Sequence, residues 1–330
     1  MNKNFFRLIV DFQESVQNAL KIMQRSGIRM PPSRNDWIES DIPITGELDG
    51  GVKYYKHGAG CLVSLSSGEV DFDFGEEGEI GGFNLWWLTQ FAGENLTDYG
   101  FKHTDDIAEC LNKSLESGEL VCPYHDLYYI ANAPYIYATD IDSRDPEDML
   151  PGRNQDPVLV LQSHYFQSAE LMLENYNKLS QKLHKIGHLS RREEIDMRIY
   201  LTTWLGFLGV VCEGMRKLNI RILLESERPD SFKELLPISD NIGQLMKEHA
   251  GSLRKFRNNV FHLRENTELV RDFFDKRLDR IQWARKLHMA LEGFFSQYRV
   301  SCEVHYLMNE RKGECDLIRN KRVLRKRKLR

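Results

Sequence analysis

The chain has no paired cysteines. Its six, Cys61, Cys110, Cys122, Cys212, Cys302 and Cys315, are scattered without a C-x-x-C pair. Neither a zinc ribbon nor a disulfide framework is therefore indicated, and free thiols in a reducing compartment are the simplest reading. An export signal is missing too, because Arg7 and Asp11 interrupt any apolar stretch that follows Lys3. Long apolar runs are absent. The most apolar one, Trp204 to Cys212, falls far short of the roughly 20 residues that a membrane span needs. No internal repeat is visible. These absences together predict a cytoplasmic protein without membrane contact.

What is present is length and a division of charge. The 330 residues suggest roughly two domains. A hydrophobic content of 41% and an aromatic content of 11% let each half bury a core. The net charge of −4 hides a strong asymmetry. Residues 1–150 hold 11 Lys and Arg against 26 Asp and Glu, a balance of −15, whereas residues 151–330 hold 34 against 23, a balance of +11. One reading is a basic half that meets a polyanion and an acidic half that repels it or covers the basic surface. The other is a fusion of two unrelated domains.

Residues 1–133 read as an acidic α+β domain. Phe5, Leu8, Ile9, Phe12, Val16, Leu20 and Met23 have helical spacing, and Gly27 with Pro31-Pro32 ends that helix. Val52–His57 and Gly60–Leu65 flank a glycine-rich turn. Ser67-Gly68 leads into Glu69–Phe74, which alternates acid and apolar so that Val70, Phe72 and Phe74 face a core. Phe83–Phe91 and Asp105–Ser117 are expected helices. Residues 134–156, acidic and punctuated by prolines, read as a linker.

From Pro157 the pattern is helical throughout, and residues 157–311 read as an all-α bundle. A helix over 158–185 ends at Gly187. Ser190 with Glu193 forms a capping box for the next, which runs to about Asn219. Helices over 231–236 and 242–263 surround Pro237, and a last one covers 277–310. Residues 312–330 read as a basic tail, with eight Lys or Arg among its final twelve residues. Such blocks either touch nucleic acid or are simply solvated.

Within the bundle stands Arg257-Asn258-Asn259-Val260-Phe261-His262. An arginine followed by a polar residue, with a histidine after four intervening residues, resembles the R-x4-H signature of the HEPN superfamily. The size of the bundle, and the position of the motif in its penultimate long helix, are similar to that family as well. The resemblance implies a metal-independent endoribonuclease that works as a homodimer, with RNA as substrate and neither cofactor nor metal ion. His262 would take the proton of a ribose 2′-OH as general base. The 2′-oxygen would attack the adjacent phosphate, leaving a 2′,3′-cyclic phosphate and a 5′-OH. Arg257 would hold the phosphate, and Asn258 would orient His262 or the phosphate. Arg254, Lys255 and Arg264 would contact the RNA. Helical geometry puts Leu253, Phe256 and Val260 on the buried stripe, Arg257 on its flank, and Asn258 and His262 together on the opposite face.

Two other residues belong beside the motif. Glu213 is close enough in the preceding helix pattern either to orient Arg257 or to pair with Lys217 at i,i+4. His288 on the last helix either approaches the motif or decorates the surface. In the first half, Tyr55-x-His57-Gly58-x-Gly60-Cys61, Val70–Gly75 and Gly82-Phe83 resemble a family of small bacterial domains of unknown function over about residues 5–130. By context some of its members look like toxin-immunity proteins. His57, Cys61, Asp71 and Asp73 could be taken for metal ligands, but turn geometry and strand alternation already account for them.

The family setting suggests a toxin–antitoxin or phage-defence effector with an acidic regulatory or sensor domain and a regulatory protein partner. The rival is a non-catalytic binding or immunity module that holds RNA or a basic protein by charge complementarity.

Overall fold

In the computed structural model, which describes residues 1–124, 126–262 and 268–317, the chain forms two compact units. The first comprises Met1–Asp145 together with the stretch that starts at His305, and the second is Pro146–Val304.

The first unit is built on α1 (Lys3–Arg25), whose apolar residues recur every three or four positions and are buried from Phe5 to Met23. The Asn2 side chain caps it by accepting from the Asn4 and Phe5 amides. A short helix α2 (Arg34–Glu39) carries the buried Trp37, whose indole donates to the Gly60 carbonyl at 3.0 Å. Four antiparallel strands follow in spatial order: β1 (Thr45–Glu47), β2 (Lys53–His57), β3 (Gly60–Leu65) and β4 (Gly68–Asp73). Leu65 pairs with Gly68 across the hairpin turn. Val70, Phe72 and Phe74 enter the core while Asp71 and Asp73 stay half-exposed, as the alternation requires. β5 (Glu79–Ile80), α3 (Leu85–Ala92), α4 (Thr104–Glu116), β6 (Leu120–Tyr124), β7 (Leu127–Ile130) and β8 (Ile136–Tyr137) complete it.

Two boundaries differ from those expected. The segment 134–156 is not a free linker along its length. β8 pairs with β5 through Glu79 and Tyr137, and the buried Ala138 donates its amide to the Gly78 carbonyl at 2.9 Å. The first part of the stretch read as a basic tail, 312–330, is also folded. Gly313 lies so near α1 that a Cβ there would sit 2.5 Å from the Gln24 carbonyl oxygen. Arg311 and Glu314 form a buried ion pair beside it, with a bond of 2.7 Å. Residues 318–330 lie outside the described residues.

The second unit is helical: α5 (Pro157–Leu161), a π-helical turn over Gln162–Phe166, α6 (Gln167–Ile186), α7 (Arg191–Lys217), α8 (Ile220–Ser226), α9 (Leu236–Phe261), α10 (Glu268–Phe273) and α11 (Arg280–Met308), which runs on into the first unit. Gly187 takes the left-handed conformation (φ 80°) that closes α6, and the Ser190–Glu193 capping box opens α7. α9 begins at Leu236 rather than near 242, because Pro237 sits in its first turn, where it has no hydrogen bond to lose. By length and composition, α7 would suffice to cross a membrane. Its Trp204, Leu205, Leu208, Val211 and Cys212 are buried in this unit.

A buried polar network fixes the start of α5. Asp156 caps the helix through the Val158 amide at 2.9 Å and accepts from the Tyr298 hydroxyl at 2.7 Å. Arg228 donates to that hydroxyl at 2.7 Å and to Asp156 at 3.2 Å. The three side chains satisfy one another's charge and hydrogen bonds, which makes their burial tolerable.

Candidate functional site

The R-x4-H motif lies at the end of α9, where that helix crosses α7 at close range. Gly206 and Gly209 make the approach possible. A Cβ at Gly206 would stand 2.6 Å from the Phe261 ring, and one at Gly209 would stand 3.2 Å from the Arg257 Cβ. Phe261 also packs on Phe207, with ring centroids 5.5 Å apart. Leu253 and Phe256 are buried, and Phe256 packs at a tilt on Phe273, with ring centroids 4.7 Å apart. Two of the three residues that the spacing assigns to the buried stripe are therefore in the core, whereas Val260 is only half-buried.

Arg257 is half-buried on the flank, and three of its N–H groups are engaged. Nη1 forms an ion pair with Glu213 of α7, while Nε and Nη2 donate to the Asn258 side-chain oxygen at 3.2 and 2.7 Å. A guanidinium has five N–H donors, so one on each terminal nitrogen remains for a ligand. Arg257 holds the Glu213 carboxyl below the usual range, chiefly by that hydrogen bond, and the charges of Lys217 and Arg254 add to it. Arg254 and Lys255 are exposed, and the Lys255 carbonyl accepts from Asn259 at 2.9 Å.

His262 is exposed and takes the position after the last helical residue, with an extended backbone (φ −130°, ψ 138°). It has no hydrogen-bond partner among the described residues. Because the helix stops at Phe261, the stacking of Asn258 and His262 on one continuous helical face does not arise. Arg264 lies outside the described residues.

Glu213 therefore meets Arg257 rather than pairing with Lys217 at hydrogen-bond range. The sequence carried a signal for this: Gly206, Gly209 and Glu213 fall on one stripe of α7, so whatever crosses the glycines also meets the glutamate. His288 is neither at the motif nor on the surface. It is 3% exposed, stacks on Phe166 at 4.8 Å and accepts from the Trp204 indole at 3.3 Å. Burial, with Arg285 nearby, pushes its pKa down to about 4. Its place four residues after Ala284 and three before Leu291 puts it on the buried stripe of α11.

In the first unit His57, Asp71 and Asp73 meet on one face of the sheet. The imidazole bonds to Asp71 at 2.6 Å with Asp73 4.0 Å away, and these carboxylates raise its pKa, the hydrogen bond to Asp71 foremost. Cys61 points to the opposite, buried face, where desolvation lifts its thiol to about 12. No group of three or more His, Cys, Asp or Glu among the described residues is placed to hold a metal ion.

Residues 5–130 match the model of a family described as "Domain of unknown function (DUF6896)". No curated protein matches the chain, and no solved structure does.

Proposed function

We propose that the helical unit is a metal-independent endoribonuclease of the HEPN type. The observation that carries this reading is the half-buried Arg257, fixed by Glu213 and Asn258 with two N–H groups left over, one residue stretch away from an exposed histidine. That arrangement suits a phosphate: a pre-set guanidinium offers paired donors without reorganising when charge develops. Exposed His262 takes the 2′-OH proton, the 2′-oxygen attacks phosphorus, and the bond to the 5′-oxygen breaks. The products are a 2′,3′-cyclic phosphate and a 5′-OH, and the leaving oxygen needs a proton. One motif supplies one histidine, so a second copy supplies the acid, and the working form is a homodimer in the cytoplasm of a bacterium. The acidic unit serves as regulator or sensor in a toxin or antiviral setting.

The test compares wild type with His262→Ala and Arg257→Ala on total bacterial RNA in EDTA, with sequencing of the ends. Cleavage by wild type alone, leaving cyclic phosphates, is the expected result. Equal cleavage by all three proteins, or none by wild type, sinks the catalytic assignment.

A further inference from the structure

Upstream of Arg257 the same face of α9 continues as a stripe of cations and small residues. Arg257, Arg254, Ala250, Lys247 and Gly243 are spaced by three or four residues, so at about 100° per residue they fall within roughly 80° of one another. Beside this stripe, against the end of α7 and the start of α8, opens a groove of about 720 Å³. Met215, Ile220, Ile242 and Met246 give it an apolar lining, and Arg216 and Lys247 give it charge. Neither of these cations is in an ion pair among the described residues. Arg221, at the far end, is tied to Asp240 and Glu225.

Polar groups are also available there. Ser239, only 8% exposed, and the amides of Asn219 and Gln244 line the groove, and none makes a side-chain hydrogen bond among the described residues. A Cβ built on Gly243 or Gly251 would meet nothing within 4 Å, so the space beside the α9 backbone is open.

We propose that this groove binds single-stranded RNA on one side of the bond to be cleaved, an assignment that rests on the ribonuclease reading above. Thioethers and branched aliphatic chains accept the faces of unstacked bases. Arg216 and Lys247 take backbone phosphates, and the hydroxyl and amides are matched to base edges or ribose 2′-OH groups. A duplex keeps its base faces stacked inside and has no use for the apolar floor. Lys247 and Arg257 are ten residues apart, about 15 Å along the helix. The groove therefore adds nucleotides to the site rather than duplicating its contact with the scissile phosphate.

The experiment uses the full chain and a fluorescent single-stranded RNA of about twelve nucleotides, within the span that such grooves cover. Its variants are the double Arg216→Gln/Lys247→Gln and, separately, Gly243→Phe. The second fills the groove from a position with free space and improves on glycine in a helix, so folding is retained. Affinity for the long RNA is expected to fall roughly tenfold in each. In the charge variant the log–log salt slope should shrink by about 1.4, at about 0.7 per lost phosphate contact on a single strand. Cleavage of a dinucleotide, too short to reach the groove, should be unchanged. Wild-type affinity and slope in both variants would overturn the groove while leaving the ribonuclease reading intact. Weakened binding by the variants of a wild type that never cleaves would keep the groove and remove the ribonuclease. A wild type that does not bind the RNA at all removes both.

Discussion

At the scale of single residues, side chains 44 positions apart in the chain make the decisive contact. Arg257 is locked by Glu213, so Glu213→Gln keeps the shape of the side chain but removes the counter-charge of a half-buried guanidinium. The expected loss is roughly 1–3 kcal/mol of stability, read by urea denaturation. On the proposed ribonuclease reading, RNA cleavage should fall by as much as a hundredfold through misplacement of Arg257, with the cleavage products unchanged. His288 gives a pH effect whose sign is fixed by burial. Its folded pKa of about 4 lies below the ordinary histidine value of 6.5, so between those values the unfolded chain binds more protons. Stability is therefore full above pH 6.5 and declines as the pH falls toward 4, by about 3 kcal/mol from this group. In His288→Gln that part of the slope should vanish from denaturation curves taken across the range. Arg257, Asn258 and His262 were readable as a spacing in the sequence. Their geometry was not, because the helix ends one residue early and the partner of Arg257 is set by a helix crossing.

At the scale of elements, periodicity gave α1, the β3–β4 hairpin and the caps of α6 and α7 directly, since those depend on neighbours within a few positions. It left out α10, the π-helical turn and the true start of α9. A π turn depends on what packs around it, and Pro237 reads equally as a break or as a first-turn residue. Two element-level outcomes are expected. Gly206→Val at the α7–α9 crossing forces the Phe261 ring away and should destabilise the helical unit by about 1–3 kcal/mol. Circular dichroism melts would show it, and the proposed RNA cleavage should fall with the displaced helix end. Asp156→Ala strands the buried Arg228 charge and removes a helix cap together, so a loss of roughly 3–5 kcal/mol is expected in urea. An Asp156→Ala midpoint within error of wild type would show that Arg228 had found another partner.

At the scale of the whole molecule, the sequence announced two charge domains and an α+β half before a helical half, and the fold has that order. It did not announce that the first unit is discontinuous. Residues that return near the end look, by composition, like the start of a basic tail, and nothing local marks Gly313 as a residue packed on α1. A chain stopped before His305 should unfold the acidic unit at lower urea than the full chain, followed through the fluorescence of the buried Trp37. The same feature bears on how the protein is made. Domains commonly fold as they leave the ribosome, at about 5–20 residues per second. Here the amino-terminal unit has emerged by Asp145, yet its closing segment begins only at His305. The apolar core of that unit, from Phe5 to Ile141, is already complete by then, so what arrives on the order of ten to thirty seconds later is the segment that seats Gly313 against α1.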